Sequence, residues 1–451
     1  MGGDVCCGMT EFHMKNAASG ELDAFYATRP ECQGDVPKTR FKPKSGKTLS
    51  ARKWHSAFSQ DGRLDIAKVL SRIQRGGIHP SIKGVVWEFL LGCFNPDSTF
   101  DERSELRQCR REQYGTWKAE CQKMVPTIGS GKIITAPIIT EDGQPIQDPS
   151  SNGELQDNGA VTSITPDAPM ENGEPAVDAA LEKRVIQWKL NLHQIGLDVL
   201  RTDRSLVFYE SEANLAKLWD ILAVYAWIDN DVGYVQGMND FCSPMVILLE
   251  NEADAFWCFE HVMRRMRANF RTTTSSIGVQ SQLCTLSAVI KVVDPKLHQH
   301  LENLDGGEYL FAFRMLMVLF RREFSFVDSM YLWELIWAME YNPNIFSLYE
   351  DPNTATESIA TKGNDKLLKK YGKFERKNIK TGIADQQHTA LSVFLVAGVL
   401  EAKHKRLLKE AKGVDDVVKI LNDTTEKLDA KKACLDALKI QKKYLSKTKK
   451  Q

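Results

Sequence analysis

The sequence predicts an all-α protein with a single large helical domain that contains a long disordered insertion. Across most of the 451 residues, apolar side chains recur at spacings of three and four, which places them on one face of a helix. The alternation of apolar and polar residues that marks half-buried strands is almost absent. Residues 126–178 have no aromatic residue and are rich in Pro, Gly, Asn, Asp, Ser and Thr, so they predict a disordered insertion between helices.

The helices can be placed in order along the chain. The first pattern begins near Trp54 and stops at Gly76-Gly77, and Pro80 then opens a second helix around Trp87. After the insertion, helical periodicity is found in residues 181–198, 215–227, 241–249, 253–266, 282–290, 309–322, 330–339, 388–410 and 413–445.

These patterns divide the chain into three parts. Residues 1–49 show little periodicity and predict a disordered N-terminal segment. Residues 50–410 form the helical domain, which includes a polar, lysine-rich loop at 351–388. Residues 411–451 predict an amphipathic C-terminal helix with a basic tail. Its leucine and valine heptads are interrupted by Thr424 and Lys431, so they specify no coiled coil and leave the oligomeric state open.

Composition excludes several classes of function. Hydrophobic residues make up 43% and charged residues 26%, as in a soluble globular protein. Lysine plus arginine equals aspartate plus glutamate at 59 each, so no global charge points to nucleic acid. Residues 133–182 lack lysine and arginine, and residues 439–450 are lysine-rich; both segments are interpreted as solvated surface.

Cysteine usage and hydropathy predict a cytoplasmic protein. The ten cysteines form no Cys-x-x-Cys pair, no secretory signal is visible, and the apolar run at 390–400 is too short to span a bilayer. Cys6 stands where a myristoylation motif needs Ser or Thr. Palmitoylation of Cys6 and Cys7 stays open, and with it a peripheral contact with endomembranes.

Several catalytic motifs can be rejected. Gly129-Ser-Gly-Lys132 lacks both the first glycine and the Ser or Thr of a phosphate-binding loop. Cys258 and His261 share a helical face but are surrounded by aromatic residues, so they are interpreted as core. No cluster has zinc-ligand spacing. The chain therefore offers no evident nucleotide or metal site of its own.

Two short strings about 30 residues apart carry the candidate chemistry. Residues 195–201 (IGLDVLR) place Asp198 and Arg201 on one helical face, and residues 234–240 (YVQGMND) place Gln236 beside Gly237. Each string alone would be an ordinary surface ion pair or helix terminus. Together they offer an arginine that can neutralise phosphoryl oxygens and an amide that can hold a water molecule.

In context, the two strings resemble the TBC domain, the helical catalytic domain of Rab GTPase-activating proteins. The resemblance covers about residues 50–345 and the helices after 385. The matching motifs are residues 77–87 (GIHPSIKGVVW) with 90–92 (LLG), Ile195-x-x-Asp198-x-x-Arg201-Thr202, Tyr234-x-Gln236-Gly237-Met238-x-Asp240, Phe313-Arg314, residues 319–324 (LFRREF) and Trp333-Glu334. Lys83, Met315 and Arg204 depart from the common pattern, and the Arg-Thr-Asp-Arg form resembles an insertion-bearing subgroup.

The resemblance implies a role for each site residue. Arg201 would be an arginine finger beside the phosphates of GTP, and Gln236 would orient the attacking water. Asp198 would hold the guanidinium, and Tyr234, Gly237 and Met238 would shape the turn that presents Gln236. Asp240 would fix that turn through backbone hydrogen bonds.

The resemblance also implies the partner. The substrate would be a GTP-bound Rab-family GTPase, whose GTP and Mg²⁺ belong to the partner, and the process would be vesicle trafficking. Two alternatives from other classes stay open: a catalytically silent Rab-binding scaffold, and a membrane-recruitment adaptor.

Overall fold

The computed structural model describes residues 25–146, 175–271, 278–350, 370–381, 390–423 and 428–449. Within these ranges the regular structure is helical, and β-structure is limited to isolated bridges, which confirms the all-α prediction. The α-helices are α1 Ala51–His55, α2 Ile66–Gly76, α3 Lys83–Leu90, α4 Phe100–Met124, α5 Pro175–Arg201, α6 Glu212–Ile228, α7 Met238–Leu248, α8 Glu252–Phe270, α9 Gly278–Val293, α10 Pro295–Asn303, α11 Phe313–Met317, α12 Phe326–Glu340, α13 Ile345–Glu350, α14 Lys373–Thr381, α15 Leu391–Glu410, α16 Val414–Asn422 and α17 Ala430–Thr448.

Two helices are buried on all sides and organise the rest. In α12 every residue from Phe326 to Met339 is buried, and in α6 nearly every residue from Leu215 to Trp227 is buried. A helix that is apolar all round has to be surrounded by other helices. Accordingly, α12 packs against α2, α3, α14, α15 and α17, while α6 packs against α4, α5, α7 and α8.

A buried carboxylate joins the opening motif to α12. Glu334 forms an ion pair with Lys83 and accepts hydrogen bonds from Trp87 Nε1 at 3.1 Å and from the Ile78 backbone at 3.2 Å. Gly77 precedes these residues with φ +69°, and a Cβ there would lie 2.6 Å from the Tyr331 ring. Motifs about 250 residues apart in the chain therefore meet in the core, and Lys83 has a structural role.

The expectation of disorder up to residue 49 is wrong for residues 25–49. Phe41 is buried and packs on the Tyr331 ring at 4.4 Å between centroids. The Asp328 carboxylate accepts hydrogen bonds from the backbones of Arg40 and Phe41 at 2.8 and 2.7 Å. Single apolar residues spaced along an extended segment anchor it to the core, and such contacts leave no periodic pattern in a sequence. Residues 1–24, with Cys6 and Cys7, lie outside the described residues.

The expected insertion is also shorter than 126–178. Ile128 is fully buried, and the Gly129 backbone donates hydrogen bonds to both oxygens of Asp220 on α6, at 3.2 and 3.1 Å. At the other end, the backbone is already helical from Pro175. Residues 126–146 thus belong to the fold despite their polar composition, and residues 147–174 lie outside the described residues.

The C-terminal part differs from its prediction in two ways. Within the expected loop 351–388, α14 packs on α12, and Asn378 donates hydrogen bonds to the carbonyls of Met339 and Tyr341 at 2.9 and 3.0 Å. The helix expected at 413–445 is two helices, α16 and α17. Both pack against α15, and α17 also contacts α12, so they are part of the same core.

The N-terminal pattern predicted as one helix from Trp54 is likewise two helices, α1 and α2. Cys258 and His261 are buried, as predicted for core side chains. No described helix is both long enough and apolar enough to cross a bilayer.

Candidate functional site

The candidate site begins at the last turn of α5. Asp198 is fully buried there, whereas the side chain of Arg201, one turn later, is 58% exposed. The two form an ion pair through Asp198 Oδ1. A buried carboxylate costs free energy unless donors surround it. The Arg201 guanidinium is thus held at one end by a buried anchor, and the rest of it faces solvent.

The second part of the site is the turn that leads into α7. Gly237 caps this helix with φ +109°, a conformation that favours glycine, and a Cβ at this position would lie 2.9 Å from Val318 Cγ1. Met238 is fully buried below the turn, where its sulfur accepts the Val235 N–H at 3.5 Å. The turn therefore has a fixed shape, and Gln236 is exposed on its outer side.

The two parts converge on the Asp198 carboxylate. Tyr234 donates its hydroxyl to Oδ2 at 2.7 Å, and Gln236 donates its amide to Oδ1 at 3.4 Å, the oxygen that also pairs with Arg201. Gln194 donates to the same oxygen at 3.3 Å. Groups that share one acceptor lie within about 6 Å of each other. The Arg201 and Gln236 side chains are therefore neighbours on the surface.

Tyr234 supports this arrangement from below. Burial, followed by the negative charge of Asp198, raises the pKa of the Tyr234 hydroxyl far above its ordinary value. The phenol therefore keeps its proton and remains a hydrogen-bond donor to Asp198. The predicted residues Asp198, Arg201, Tyr234, Gln236, Gly237 and Met238 all belong to one compact cluster.

Asn239, which the sequence reasoning missed, connects the two parts. Its Oδ1 accepts the Gly237 N–H at 3.0 Å, and its Nδ2 donates to Thr202 Oγ1 at 2.8 Å. Thr202 Oγ1 in turn donates to the Asp198 carbonyl at 2.7 Å. The signal was an asparagine in the first turn of a helix, where a short amide can bond to the local backbone.

Asp240 contacts the turn only through its backbone N–H, which donates to the Gly237 carbonyl at 3.1 Å, and the expectation is wrong for its side chain. Its carboxylate does not bond to the backbone of the turn but accepts Arg322 Nη2 at 2.8 Å and Nε at 3.1 Å. Burial raises the pKa of Asp240, and the guanidiniums of Arg321 and Arg322 oppose that shift. Asp240 lies one residue further along α7 than Asn239, and it faces the segment after α11. It links the turn to that segment.

The backbone after Arg201 is anchored in a similar way. Asp203 has φ +45°, accepts Ser243 Oγ at 2.6 Å and forms an ion pair with Arg321. Arg204 donates to the Tyr209 carbonyl at 3.0 Å, so this departure from the common motif is a structural contact. The end of α5 is thus fixed against both α7 and the segment after α11.

The chemistry available at this surface is electrostatic. A guanidinium can stabilise developing negative charge, and a carboxamide can orient a water molecule, but neither is a nucleophile. Among the described residues, no group of three or more His, Cys, Asp or Glu side chains is placed to hold a metal ion. The two exposed side chains can therefore stabilise charge and orient a water molecule, but they cannot attack a substrate themselves.

Comparison with known proteins identifies relatives. The Rab-GTPase-TBC domain family matches residues 169–349, which include every residue of the candidate site. Rab GTPase-activating protein 22 of Arabidopsis thaliana is 30% identical, over 64% of this chain and 66% of that protein. TBC1 domain family member 17 of Homo sapiens is 28% identical, over 72% of this chain and 43% of that protein.

A yeast relative and a solved structure are also similar to this chain. The GTPase-activating protein GYP7 of Saccharomyces cerevisiae is 29% identical, over 65% of this chain and 38% of that protein. The chain thus spans about two thirds of the plant relative and less than half of the human and yeast ones. The crystal structure of the Ypt/Rab-GAP domain of Gyp1p superimposes with a TM-score of 0.54 at 17% identity and covers 87% of this chain and 98% of that domain, which shows a shared fold.

Proposed function

The chain belongs to the Rab-GTPase-TBC domain family, and we propose that it is a GTPase-activating protein for a Rab-family small GTPase. One observation supports this most strongly: Arg201 at the end of α5 and Gln236 in the turn before α7 share the same oxygen of a buried carboxylate, while their side chains reach the surface. Burying the Asp198 carboxylate costs free energy, and two exposed side chains such as Arg201 and Gln236 do not need it for the stability of the fold. The anchor sets the position of two exposed side chains relative to each other.

The proposed mechanism divides the work between these two side chains. Arg201 inserts beside the β- and γ-phosphates of GTP on the partner and neutralises charge that develops during phosphoryl transfer. Gln236 turns from Asp198 to the attacking water and orients it in line with the γ-phosphate. Asp198 and Tyr234 hold the guanidinium in place before the partner arrives. GTP and Mg²⁺ are bound by the partner, and this chain contributes no nucleotide site.

Apolar side chains beside the site suit a docking surface for the GTPase. Leu197 and Leu200 are 45% and 43% exposed, and both lie in the last turns of α5, next to Arg201. Phe313 on α11 is 41% exposed, and Met317 of that helix lies 3.9 Å from the position of a Cβ on Gly237. Exposed apolar residues next to a functional group are typical of interfaces. In this proposal the GTP-bound Rab covers both helices.

The proposed cellular role is the control of vesicle trafficking. A protein with this activity would act in the cytoplasm and meet its Rab at the surface of endomembranes, where it would be a peripheral component. The relatives named above include proteins described as GTPase-activating, which supports the activity but leaves the particular Rab open.

The test is GTP hydrolysis by a panel of purified Rab proteins with catalytic amounts of the full chain. An arginine finger supplied in trans contributes about 10³ to 10⁵ in rate. We expect multiple-turnover acceleration on at least one Rab and its loss in Arg201→Ala. Arg204→Ala is the matched control and should stay active, because within the described part of the chain the Arg204 side chain bonds only to the Tyr209 carbonyl.

Binding measurements separate this proposal from a silent scaffold. The affinity of Arg201→Ala for the responsive Rab should stay close to that of the unmodified chain, because Leu197, Leu200 and Phe313 remain. Measurable binding to a Rab without acceleration by the unmodified chain would contradict the proposal and favour the scaffold.

A further inference from the structure

Positive charge is concentrated in one part of this neutral chain. Residues 36–60 contain no aspartate or glutamate, although the chain as a whole has equal numbers of acidic and basic residues. The same 25 residues contain seven basic ones, namely Lys38, Arg40, Lys42, Lys44, Lys47, Arg52 and Lys53. A concentration of this kind, in a protein with a net charge of zero, gives a local field of one sign.

The fold adds cations from two other elements to this segment. Thr48 Oγ1 donates to the Gly76 carbonyl at 2.9 Å, so the turn at 44–48 lies against the C-terminus of α2. Lys53 Nζ donates to the Gly46 carbonyl at 2.8 Å. From the other side, Lys431 at the start of α17 donates to the Arg75 carbonyl at 2.6 Å. We call the resulting cluster of Lys44, Lys47, Lys53, Arg72, Arg75 and Lys431 the basic surface.

The cations of the basic surface are not neutralised by neighbouring carboxylates. None of its six side chains forms an ion pair with a carboxylate of the described residues. Lys68, one turn earlier on α2, does pair with Asp65 at 2.8 Å. Desolvation, followed by the charges of Arg72, Arg52 and Arg75, lowers the pKa of Lys53. Like charges held together without counter-charges indicate an anionic partner.

The neighbouring face of α17 indicates what kind of anion this is. Beyond Lys431, the exposed side chains of α17 include Lys432, Leu435 and Lys442, and Leu435 is 47% exposed. A helix that exposes lysines together with leucine suits the surface of an anionic bilayer, where the charges meet phosphates and the apolar side chain enters the acyl boundary.

Nucleic acid is a less suitable partner for the same residues. Single strands are bound on exposed aromatic platforms, and the exposed large apolar residues of α17 are leucines. Domains that bind duplexes are usually basic overall, whereas this chain has no net charge. Lysine also suits a fluid layer of phosphates, since it acts as a point charge without a fixed geometry.

We propose that the basic surface and the adjoining outer face of α17 bind the chain to a bilayer of anionic phospholipids. This inference deepens the membrane contact of the proposed function by naming the surface that makes it. The surface lies on α1, α2, α17 and the segment before α1, and it includes none of the residues of the catalytic cluster.

Co-sedimentation of the full chain with vesicles tests the proposal in the absence of any GTPase, so its failure would leave the proposed GTPase activation untouched. One set of vesicles contains phosphatidylcholine only, and the other contains phosphatidylserine as well. The test variant carries Lys44→Glu, Lys47→Glu and Arg75→Glu. The matched control carries Lys123→Glu, Lys132→Glu and Lys296→Glu, three exposed lysines on other elements with the same total change in charge.

We expect binding only to the vesicles with phosphatidylserine, weakened by salt. Each cation near an anionic surface is worth about fivefold in affinity, so the test variant should lose about a hundredfold or more. The control should stay within about threefold of the unmodified chain. Unaltered circular dichroism would show that both variants are folded.

Three results would overturn the proposal. Equal losses in the test and control variants would show a non-specific charge effect. Displacement by soluble glycerophosphoserine at the same phosphate concentration would assign the site to single headgroups and not to a bilayer. Tighter binding to a short DNA duplex than to the anionic vesicles would assign the surface to nucleic acid.

Discussion

At the scale of single residues, the geometry of the site depends on the hydrogen-bond donors that surround the Asp198 carboxylate. Four donors reach its carboxylate, from Gln194, Arg201, Tyr234 and Gln236, and two of them are the proposed catalytic side chains. Because the carboxylate is buried, the loss of a donor leaves charge unsatisfied and also moves the others.

Asn239 gives the sharpest prediction for a positioning residue. Asn239→Ala removes the acceptor for the Gly237 N–H and the donor to Thr202, so the turn that presents Gln236 is no longer tied to the end of α5. A buried hydrogen bond of this kind is worth about 1–3 kcal/mol, which corresponds to a loss of about 5- to 150-fold in stimulated GTP hydrolysis. Steady-state kinetics should show this loss in kcat, with KM for the Rab nearly unchanged.

The control for this prediction is Asp240→Asn at the adjacent position. The Asp240 carboxylate contacts Arg322 and not the turn, so its replacement should affect kcat less than Asn239→Ala does. A larger effect at Asp240 would contradict the assignment of the connecting role to Asn239.

The site residues could largely be predicted from the sequence, but the separate roles of neighbouring polar residues could not. Asp198, Arg201 and Gln236 were found because their spacing and chemistry point to one reaction. Asn239 and Asp240 are adjacent polar residues in the first turn of one helix. Which of them bonds to the turn depends on the positions of Thr202 and Arg322, and these are set only by the tertiary fold.

At the scale of elements, the ion pair of Lys83 and Glu334 joins α3 to α12. Both side chains are fully buried. Burial raises the pKa of Glu334 and lowers that of Lys83, while their mutual attraction opposes both shifts. Removing one member of such a pair usually costs more than removing both, because a single charge stays behind in the core.

We therefore expect Glu334→Leu to lower the free energy of unfolding by about 3–5 kcal/mol. The double variant with Lys83→Met should recover part of that loss, although Trp87 Nε1 and the Ile78 N–H would still lack their acceptor. Urea denaturation of the two single variants and the double variant measures the coupling. Strictly additive losses would show that the pair does not act as a unit.

Helix boundaries followed the sequence where the apolar period was strong and failed where tertiary contacts decided. The pattern predicts helices at residues 215–227 and 330–339, and these segments lie within the observed helices α6 and α12. The polar segment that contains α14 was predicted as a loop. Its order comes from bonds such as those from Asn378 to α12, which no local pattern reveals.

At the scale of the whole molecule, the C-terminal helices belong to the domain. In α17, Ala437 is fully buried against the core, whereas Leu435 is 47% exposed on the same helix. A helix detached from the domain would leave both positions exposed to solvent.

The two positions therefore offer a matched pair of variants. Ala437→Asp places a charge in the core and should lower the free energy of unfolding by several kcal/mol, whereas Leu435→Asp should change it by no more than about 0.5 kcal/mol. Thermal and urea denaturation of the full chain measure both. Equal stability of the two variants would mean that α17 is not packed on the domain.

The measurement that tests the central claim most directly is GTP hydrolysis by the responsive Rab with four proteins: the unmodified chain, Arg201→Ala, Gln236→Ala and the double variant. Because both side chains act on one transition state, the rate of stimulated hydrolysis should fall at least about a hundredfold in each single variant. The rate with the double variant should be only slightly lower than that with the less active single variant. If Gln236→Ala or Arg201→Ala kept a rate close to that of the unmodified chain, the paired-finger mechanism would be wrong.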